Sequence, residues 1–338
     1  MKRIKGAPCD HPIDFVILWV DDKDIKWQEK KRKYTGADEA VGNTAARYRD
    51  WETLKYWFRG VEKFAPWVRN IYFVTDDQKP DWLNIDHPKL KWVKHTDFIP
   101  EKYLPTFSAH PIEWNLHRIE GLAEHFVYFN DDVFLIKETC ETDFFRNGLP
   151  CDFPILGPLY PNGFFSHILF NNISILNRHF SLRKSIKKHP LKWVKAQGIS
   201  GLIKLLLYGR RDQIPNSVSR HIHFCFKKSA CQKLWEEEYA LVHNTCMHKQ
   251  RTKEDISLYC IRDWLLFSGE FYPHNTKGQL FFTSTLSHNN DALDYMLKQK
   301  GKVICLNDSE DEENFEEHKK KILSAFETLL PEKSAFEK

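Results

Sequence analysis

The sequence predicts an α/β protein with a largely parallel sheet, helices on both faces and a helical subdomain in the C-terminal half. Three observations lead there. Short apolar runs recur through the N-terminal part of the chain, amphipathic helical patterns stand between them, and the runs close on acidic residues. Parallel strands need long crossover connections, so buried strands alternating with helices are the sequence form of such a sheet.

Residues 13–20 (IDFVILWV) come first, apolar almost throughout and ending in Asp21-Asp22-Lys23-Asp24, as a buried strand does when it empties into a polar loop. From Asp50 onward Leu54, Trp57, Phe58, Val61 and Phe64 recur every three to four residues, with Asp50 as candidate N-cap and Pro66 close behind. That spacing predicts an amphipathic helix. Residues 70–75 (NIYFVT) form a second strand closing on Asp76-Asp77, and residues 90–95 a third, more polar one. Ile112, Leu116, Ile119 and Ala123 mark the next helix, which leads into residues 126–129 (FVYF) and the triplet Asn130-Asp131-Asp132. Pro150, Pro154, Pro158 and Pro161 then break the pattern into irregular structure. Helices return over 227–241 and 254–267, and after a short apolar run at 303–306 a last helix covers 312–330.

With 338 residues, 42% of them hydrophobic and including 25 Phe and 11 Trp, the chain can bury a substantial, ring-rich core. A net charge of +4, with Lys and Arg interleaved among Asp and Glu, gives no reason to expect a nucleic-acid partner. The eight cysteines lack the paired spacing of a zinc site and are expected to be reduced and structural. Neither a signal-peptide pattern nor an apolar run of transmembrane length is present, so a cytoplasmic enzyme is expected, with the inner face of the plasma membrane as a possible place of work. Residues 199–208 (ISGLIKLLLY), bracketed by Arg183-Lys184, Lys187-Lys188 and Arg210-Arg211, are compatible with peripheral membrane association, but burial in the core is the preferred reading. A phosphate-cradling glycine loop and a GxSxG elbow are both missing, which weighs against kinase-like and serine-hydrolase chemistry.

Acids at strand ends are a common means of holding a divalent cation against a diphosphate, because Mg²⁺ takes a few carboxylates and completes its shell with phosphate oxygens and water. Asn130-Asp131-Asp132 is the best candidate, with Asp21, Asp22 and Asp24 behind it; an exposed turn accounts for either cluster equally well on residue type alone. His221 and His223 would share a face if their segment is extended, although histidines are more often simply polar or interior. Arg251 stands just before a predicted helix, where a guanidinium can meet phosphate oxygens in bidentate fashion, against the commoner role of a solvated basic surface.

Taken together, these segments resemble the four sequence blocks of the Stealth family of capsular polysaccharide phosphotransferases, to which the lysosomal-pathway N-acetylglucosamine-1-phosphotransferase also belongs. The first block is the run from Ile13 to Asp21, with Asp24 after it. The second and most specific contains Arg47-Tyr48-Arg49-Asp50, Arg59-Gly60-Val61-Glu62-Lys63-Phe64-Ala65-Pro66-Trp67, Val74-Thr75-Asp76, Pro80-Asp81-Trp82-Leu83-Asn84, Leu104-Pro105-Thr106-Phe107, His117-Arg118-Ile119-Glu120-Gly121-Leu122 and Tyr128-Phe129-Asn130-Asp131-Asp132. The third runs over 221–273, and the fourth is Ile304-Cys305-Leu306-Asn307-Asp308 with the C-terminal tail.

The resemblance implies a Rossmann-like or GT-A-like nucleotide-sugar fold and transfer of a hexose 1-phosphate from a nucleotide diphosphate sugar to a glycan hydroxyl. Residues 10–150 would be the α/β core, 151–220 an irregular and helical insertion, and 221–338 a helical part completing one catalytic unit. It places Asp131, Asp132, His221 and Arg251 in catalysis, with Mg²⁺ or Mn²⁺ on Asp131 and Asp132. Asp21, Asp24, Arg49, Asp50, Arg59, Asp76, His117, Arg118, Asn130 and His223 are expected to bind substrate. The donor is expected to be UDP-linked and the acceptor a growing polysaccharide or lipid-linked glycan. Two alternatives stand beside this one: a metal-dependent glycosyltransferase forming a plain glycosidic bond, and a non-catalytic glycan-binding protein.

Overall fold

The computed structural model describes residues 11–35, 50–195, 197–283, 286–308 and 315–338. It begins with strand β1 (Ile13–Leu18), helix α1 (Ile25–Thr35), helix α2 (Leu54–Phe64) and strands β2 (Ile71–Thr75) and β3 (Leu90–Lys94). Helix α3 (Ala109–Asn115) follows, then strands β4 (His125–Phe129) and β5 (Val133–Leu135). Four helices occupy the middle of the chain: α4 (Phe165–His179), α5 (Leu182–Lys188), α6 (Pro190–Val194) and α7 (Ile199–Tyr208). The last part holds strand β6 (Phe224–Lys227), helices α8 (Lys228–Glu237), α9 (Tyr239–Met247) and α10 (Tyr259–Ser268), strand β7 (Gly278–Phe282), helix α11 (Leu286–Leu297), strand β8 (Val303–Asn307) and helix α12 (Phe315–Leu329).

The central sheet has the order β3-β2-β1-β4-β6, with the first four strands parallel and β6 antiparallel to β4. It is therefore largely parallel, as expected, with an antiparallel edge contributed by the later half of the chain. Because side chains alternate across a strand, each run feeds two cores. Phe15, Ile17, Phe73, Val127 and Phe129 face α2, α12 and the C-terminal tail. Val16, Tyr72, Val74, Phe126 and Tyr128 face α3 and α8 to α10. A second sheet, β7-β8-β5, packs beside the first core, and β8 runs antiparallel to β5 with Cys305 opposite Val133. Helix α2 approaches β5 closely: a Cβ on Gly60 would stand 2.9 Å from the Leu135 carbonyl oxygen, so any larger residue would push the helix away.

Several expectations need correction. Asp50 does not cap α2; its carboxylate accepts the Glu52 N–H at 2.7 Å and the cap position is Thr53. The helix expected through Ala123 ends at Asn115 and passes through one 3₁₀ turn, Leu116–Arg118. The helix expected from residue 254 starts only at Tyr259, because the Asp255 side chain accepts hydrogen bonds from the Thr252 main chain and hydroxyl and holds a turn there instead. Helix α7 contains no buried residue, against the preferred reading of burial in the core. Among the described residues no helix is long and apolar enough to cross a membrane.

Candidate active site at the carboxyl ends of the parallel strands

Since β1, β2 and β4 run parallel, the loops that leave their carboxyl ends open on one edge of the sheet, where ligands of open α/β sheets bind. The β1 and β2 loops are tied by Gln78, whose amide nitrogen donates to the Asp21 carbonyl at 2.9 Å and to Asp24 Oδ2 at 3.1 Å while its oxygen accepts the Asp21 N–H at 3.0 Å. Asp24 also accepts the Lys26 N–H at 2.9 Å and so opens α1 as its cap; the Gln78 bond above all holds its pKa below the usual range. Asp76 is taken up by Lys30 of α1, at 2.7 Å. The acid left open in this loop is Asp22. Its Oδ1 is buried without a hydrogen-bond partner among the described residues, and burial, then the charges of Asp21 and Asp50, raise its pKa.

At the end of β4 the turn Asn130-Asp131-Asp132 leads directly into β5. Asp132 Oδ2 receives the Asn307 amide at 3.2 Å and the Cys305 thiol at 3.3 Å, its carbonyl accepts the Leu306 N–H at 2.9 Å, and His221 Nε2 stands 3.9 Å away. The other oxygen, Oδ1, is buried and has no partner among the described residues. An Asn amide nitrogen only donates, and this one faces both the Asp132 carboxylate and His221 Nε2, the latter at 3.4 Å. Nε2 is thereby assigned its lone pair, and the proton sits on Nδ1, where it is donated to the Tyr259 hydroxyl oxygen. Desolvation, followed by the charges of Asp132 and Asp50, raises the Asp131 pKa. The side chain is nonetheless exposed, so solvent and salt soften both the desolvation and the repulsion. Asp132, His221 and Cys305 bring one potential ligand atom each within 4.8 Å of one another. Burial and Asp132 raise the Cys305 pKa well above the ordinary value, which leaves a neutral thiol donating to the carboxylate.

Arg251 lies on the turn that Asp255 organises. The Asp255 carboxylate is fully buried and accepts from His110 at 3.0 Å, His248 at 2.7 Å, the Thr252 hydroxyl at 2.8 Å and the Thr252 N–H at 3.1 Å. His110 belongs to α3, and three residues on, Glu113 meets the Tyr128 hydroxyl at 3.0 Å, which itself reaches Asn130 at 2.7 Å. The Tyr128 hydroxyl faces two acceptors, Glu113 Oε1 and Asn130 Oδ1, and burial raises the Glu113 pKa. Two residues three apart on one short helix thus brace the Arg251 turn and the Asp131-Asp132 turn.

Models of the Stealth family match this chain in conserved region 1 over residues 11–39, conserved region 2 over 47–151 and conserved region 4 over 294–338. The chain is 39% identical over 332 residues to the capsular polysaccharide phosphotransferase WcwK of Streptococcus pneumoniae, covering 96% of this chain and 98% of that protein. It is 41% identical over 337 residues to the receptor polysaccharide phosphotransferase WefC of Streptococcus gordonii, with 96% and 98% covered. The chain belongs to the Stealth family. The exopolysaccharide phosphotransferase cps2G of Lactiplantibacillus plantarum is 34% identical over 341 residues, with 98% of each chain covered. The strand-end cluster is where the matched Stealth regions meet: Asp22 from region 1, Asp50, Asp131 and Asp132 from region 2, Cys305 and Asn307 from region 4. His221 and Tyr259 come from the segment between regions 2 and 4.

Other anticipated residues stand elsewhere. Arg59 is buried in α2 and clamps the C-terminal tail, donating to Glu337 at 2.8 and 2.9 Å and to the Leu330 carbonyl at 2.9 Å. His117 packs on Trp235, where burial lowers its pKa to about 4, and the Arg118 guanidinium lies over the same ring at 4.8 Å. His223 does not share a face with His221. A φ of +48° at His221 breaks the strand alternation, so His223 turns inward between Phe129 and Phe144, where burial takes its pKa to about 3. Arg49 lies outside the described residues. Sequence reasoning passed over Cys305, Asn307 and Tyr259; yet residues 303–306 are one more apolar run closing on polar residues, Asn307-Asp308, the same signature that marked β1 and β4.

Proposed function

We propose that the chain transfers a hexose 1-phosphate from a nucleotide diphosphate sugar to a glycan hydroxyl in capsular or cell-surface polysaccharide synthesis. The observation that carries this reading is the cluster Asp131, Asp132, His221 and Asn307, gathered at the carboxyl ends of parallel strands, in a chain whose near full-length relatives are named polysaccharide phosphotransferases. The strand order β3-β2-β1-β4 supports a Rossmann-like or GT-A-like nucleotide-sugar layout, with the whole chain acting as one catalytic unit.

In this scheme the acceptor hydroxyl attacks the phosphorus that carries the sugar. A P–O bond forms, the bond from that phosphorus to the bridging oxygen breaks, and a nucleoside monophosphate leaves. His221 accepts the hydroxyl proton at Nε2, held in the productive tautomer by Tyr259 and Asn307. Arg251 offers its guanidinium to the phosphoryl oxygens, and otherwise the reaction depends on positioning. The unpartnered oxygen of Asp132 and the adjacent Asp131 carboxylate fit a hard cation better than the neutral Cys305 thiol does, so these two acids would hold Mg²⁺ or Mn²⁺. When bound, that ion supplies charge neutralisation at the diphosphate. The donor is taken to be UDP-linked and the acceptor a growing polysaccharide or lipid-linked glycan, reached at the inner face of the plasma membrane.

The test is a panel of nucleotide sugars with glycan acceptor and Mg²⁺, read by mass analysis. A nucleoside monophosphate and a phosphodiester-linked sugar are expected, and Asp132→Asn is expected to abolish both. Release of a nucleoside diphosphate with a plain glycosidic bond would overturn the proposal.

A further inference from the structure

Helix α7 presents its apolar stripe to solvent. Ile199, Leu202, Ile203, Leu206 and Leu207 follow the i, i+3, i+4, i+7, i+8 spacing of one helical face, and all five are exposed, Ile199 to 81%, Leu206 to 75% and Leu207 to 65%. Leu205 and Tyr208 on the other side pack against the protein. The preceding helix, α6, adds exposed Leu191 and Val194. A water-soluble surface rarely leaves so many neighbouring aliphatic side chains bare unless something covers them.

Charge identifies the cover. From Ser181 to Arg211 the sequence holds nine Lys or Arg and no Asp or Glu, in a chain whose net charge is only +4, so the remainder is net acidic. Most of these cations are exposed, among them Lys187 and Lys188 at the end of α5 and Arg210-Arg211 just after α7. A second copy seated on this face would bring two strongly cationic surfaces together, whereas a layer of anionic headgroups over hydrocarbon complements both features at once. The ten residues of α7 are too few to cross a bilayer and suit a helix lying in its plane.

We infer that α7, with the basic residues around it, docks the protein on an anionic lipid bilayer, the aliphatic stripe entering the headgroup boundary and the Lys and Arg side chains reaching phosphates. The inference gives a physical surface to the membrane-side acceptor proposed above and rests on that reading for its purpose. Docking needs no turnover, so each can fail alone.

The test is co-sedimentation of the full chain with phosphatidylglycerol-containing vesicles and with phosphatidylcholine vesicles. The wild type is expected to bind the anionic vesicles, to release with salt and to leave the neutral ones largely unbound. Leu206→Ser/Leu207→Ser and Lys187→Glu/Lys188→Glu should each weaken binding by about tenfold or more. Unchanged melting temperature and unchanged turnover with a soluble acceptor show that these exposed-site variants remain folded. Equal binding by the Leu206→Ser/Leu207→Ser variant would overturn the inference. So would a dimer in sedimentation that the same substitutions dissociate, since the stripe would then be a contact between copies.

Discussion

Asp255→Asn is the sharpest test of how the Arg251 turn is held. The carboxylate is fully buried and receives four donors, two on each oxygen: His248 and the Thr252 hydroxyl on one, His110 and the Thr252 N–H on the other. An amide of the same shape keeps one acceptor oxygen and points an NH₂ at the other two donors. Hydrogen bonds to a charged acceptor contribute about 1.5–3 kcal/mol each, so losing two, with two buried donors left unmet, costs about 3–5 kcal/mol. Asn171 still holds the Lys253 and Asp255 carbonyls at 2.8 and 3.0 Å, and Asn172 still meets the Ser257 N–H and hydroxyl, so the turn stays anchored on its far side. Some of the loss should therefore appear as local loosening around Arg251, with the remainder as lowered global stability. In the proposed scheme Arg251 meets the phosphoryl oxygens, and misplacing such a group by about 1 Å lowers turnover by about 10²-fold. The expected result is a reduced melting temperature and a kcat down by about two orders of magnitude, with a smaller change in donor KM. A variant that melts like wild type and keeps kcat within about twofold would refute both the hub and its link to Arg251.

Two further outcomes follow from the same structure. Arg59→Met leaves Glu337, nearly fully buried, without its cation, and should destabilise the chain by about 3–5 kcal/mol in denaturant unfolding; Arg59→Met/Glu337→Gln should recover part of that. Acid should erode stability early: burial holds His95 and His117 to about 4 and His223 to about 3 in the folded chain, all below the ordinary value of 6.5. The unfolded chain therefore takes up protons first as pH falls through about 6.5, and each histidine withdraws about 1.4 kcal/mol per pH unit until its own folded pKa is reached. The raised pKa values of the Asp131 and Asp263 carboxyls act the other way, since the folded chain protonates them before the unfolded chain does. Melting temperatures measured from pH 7 to pH 5 should therefore fall, with the histidine part only partly offset, and His223→Gln should flatten the slope.

The strands of the central sheet were legible because a buried parallel strand writes itself locally, as a contiguous apolar run with polar closure, and β1, β2 and β4 do so within two residues of their observed ends. Their order and the acids at their ends marked one edge of the candidate site. What stayed hidden depends on contacts between residues far apart in the chain. Nothing near Arg59 says that its partner is Glu337, 278 residues later; an arginine within an amphipathic helix reads equally as substrate ligand and as tail clamp until the fold closes. Nothing near His221 announces a left-handed backbone, and that single φ decides which of two histidines faces Asp132 and which enters the core.

The same limit explains the reversal at α7. An aliphatic stripe at helical spacing is the usual mark of a core-facing helix, and the pattern of residues 199–207 cannot say which way the stripe points. Its neighbours could have tipped the balance. Core helices carry their cations on the face opposite the stripe, with acids interspersed, whereas residues 181–211 hold nine cations and no acid, and Asp212, which follows, neutralises only Arg183. That charge pattern is unfavourable beside other basic segments of the same protein and favourable beside phosphate headgroups, so the composition of residues 181–211 argues for an external cover independently of how exposed α7 is.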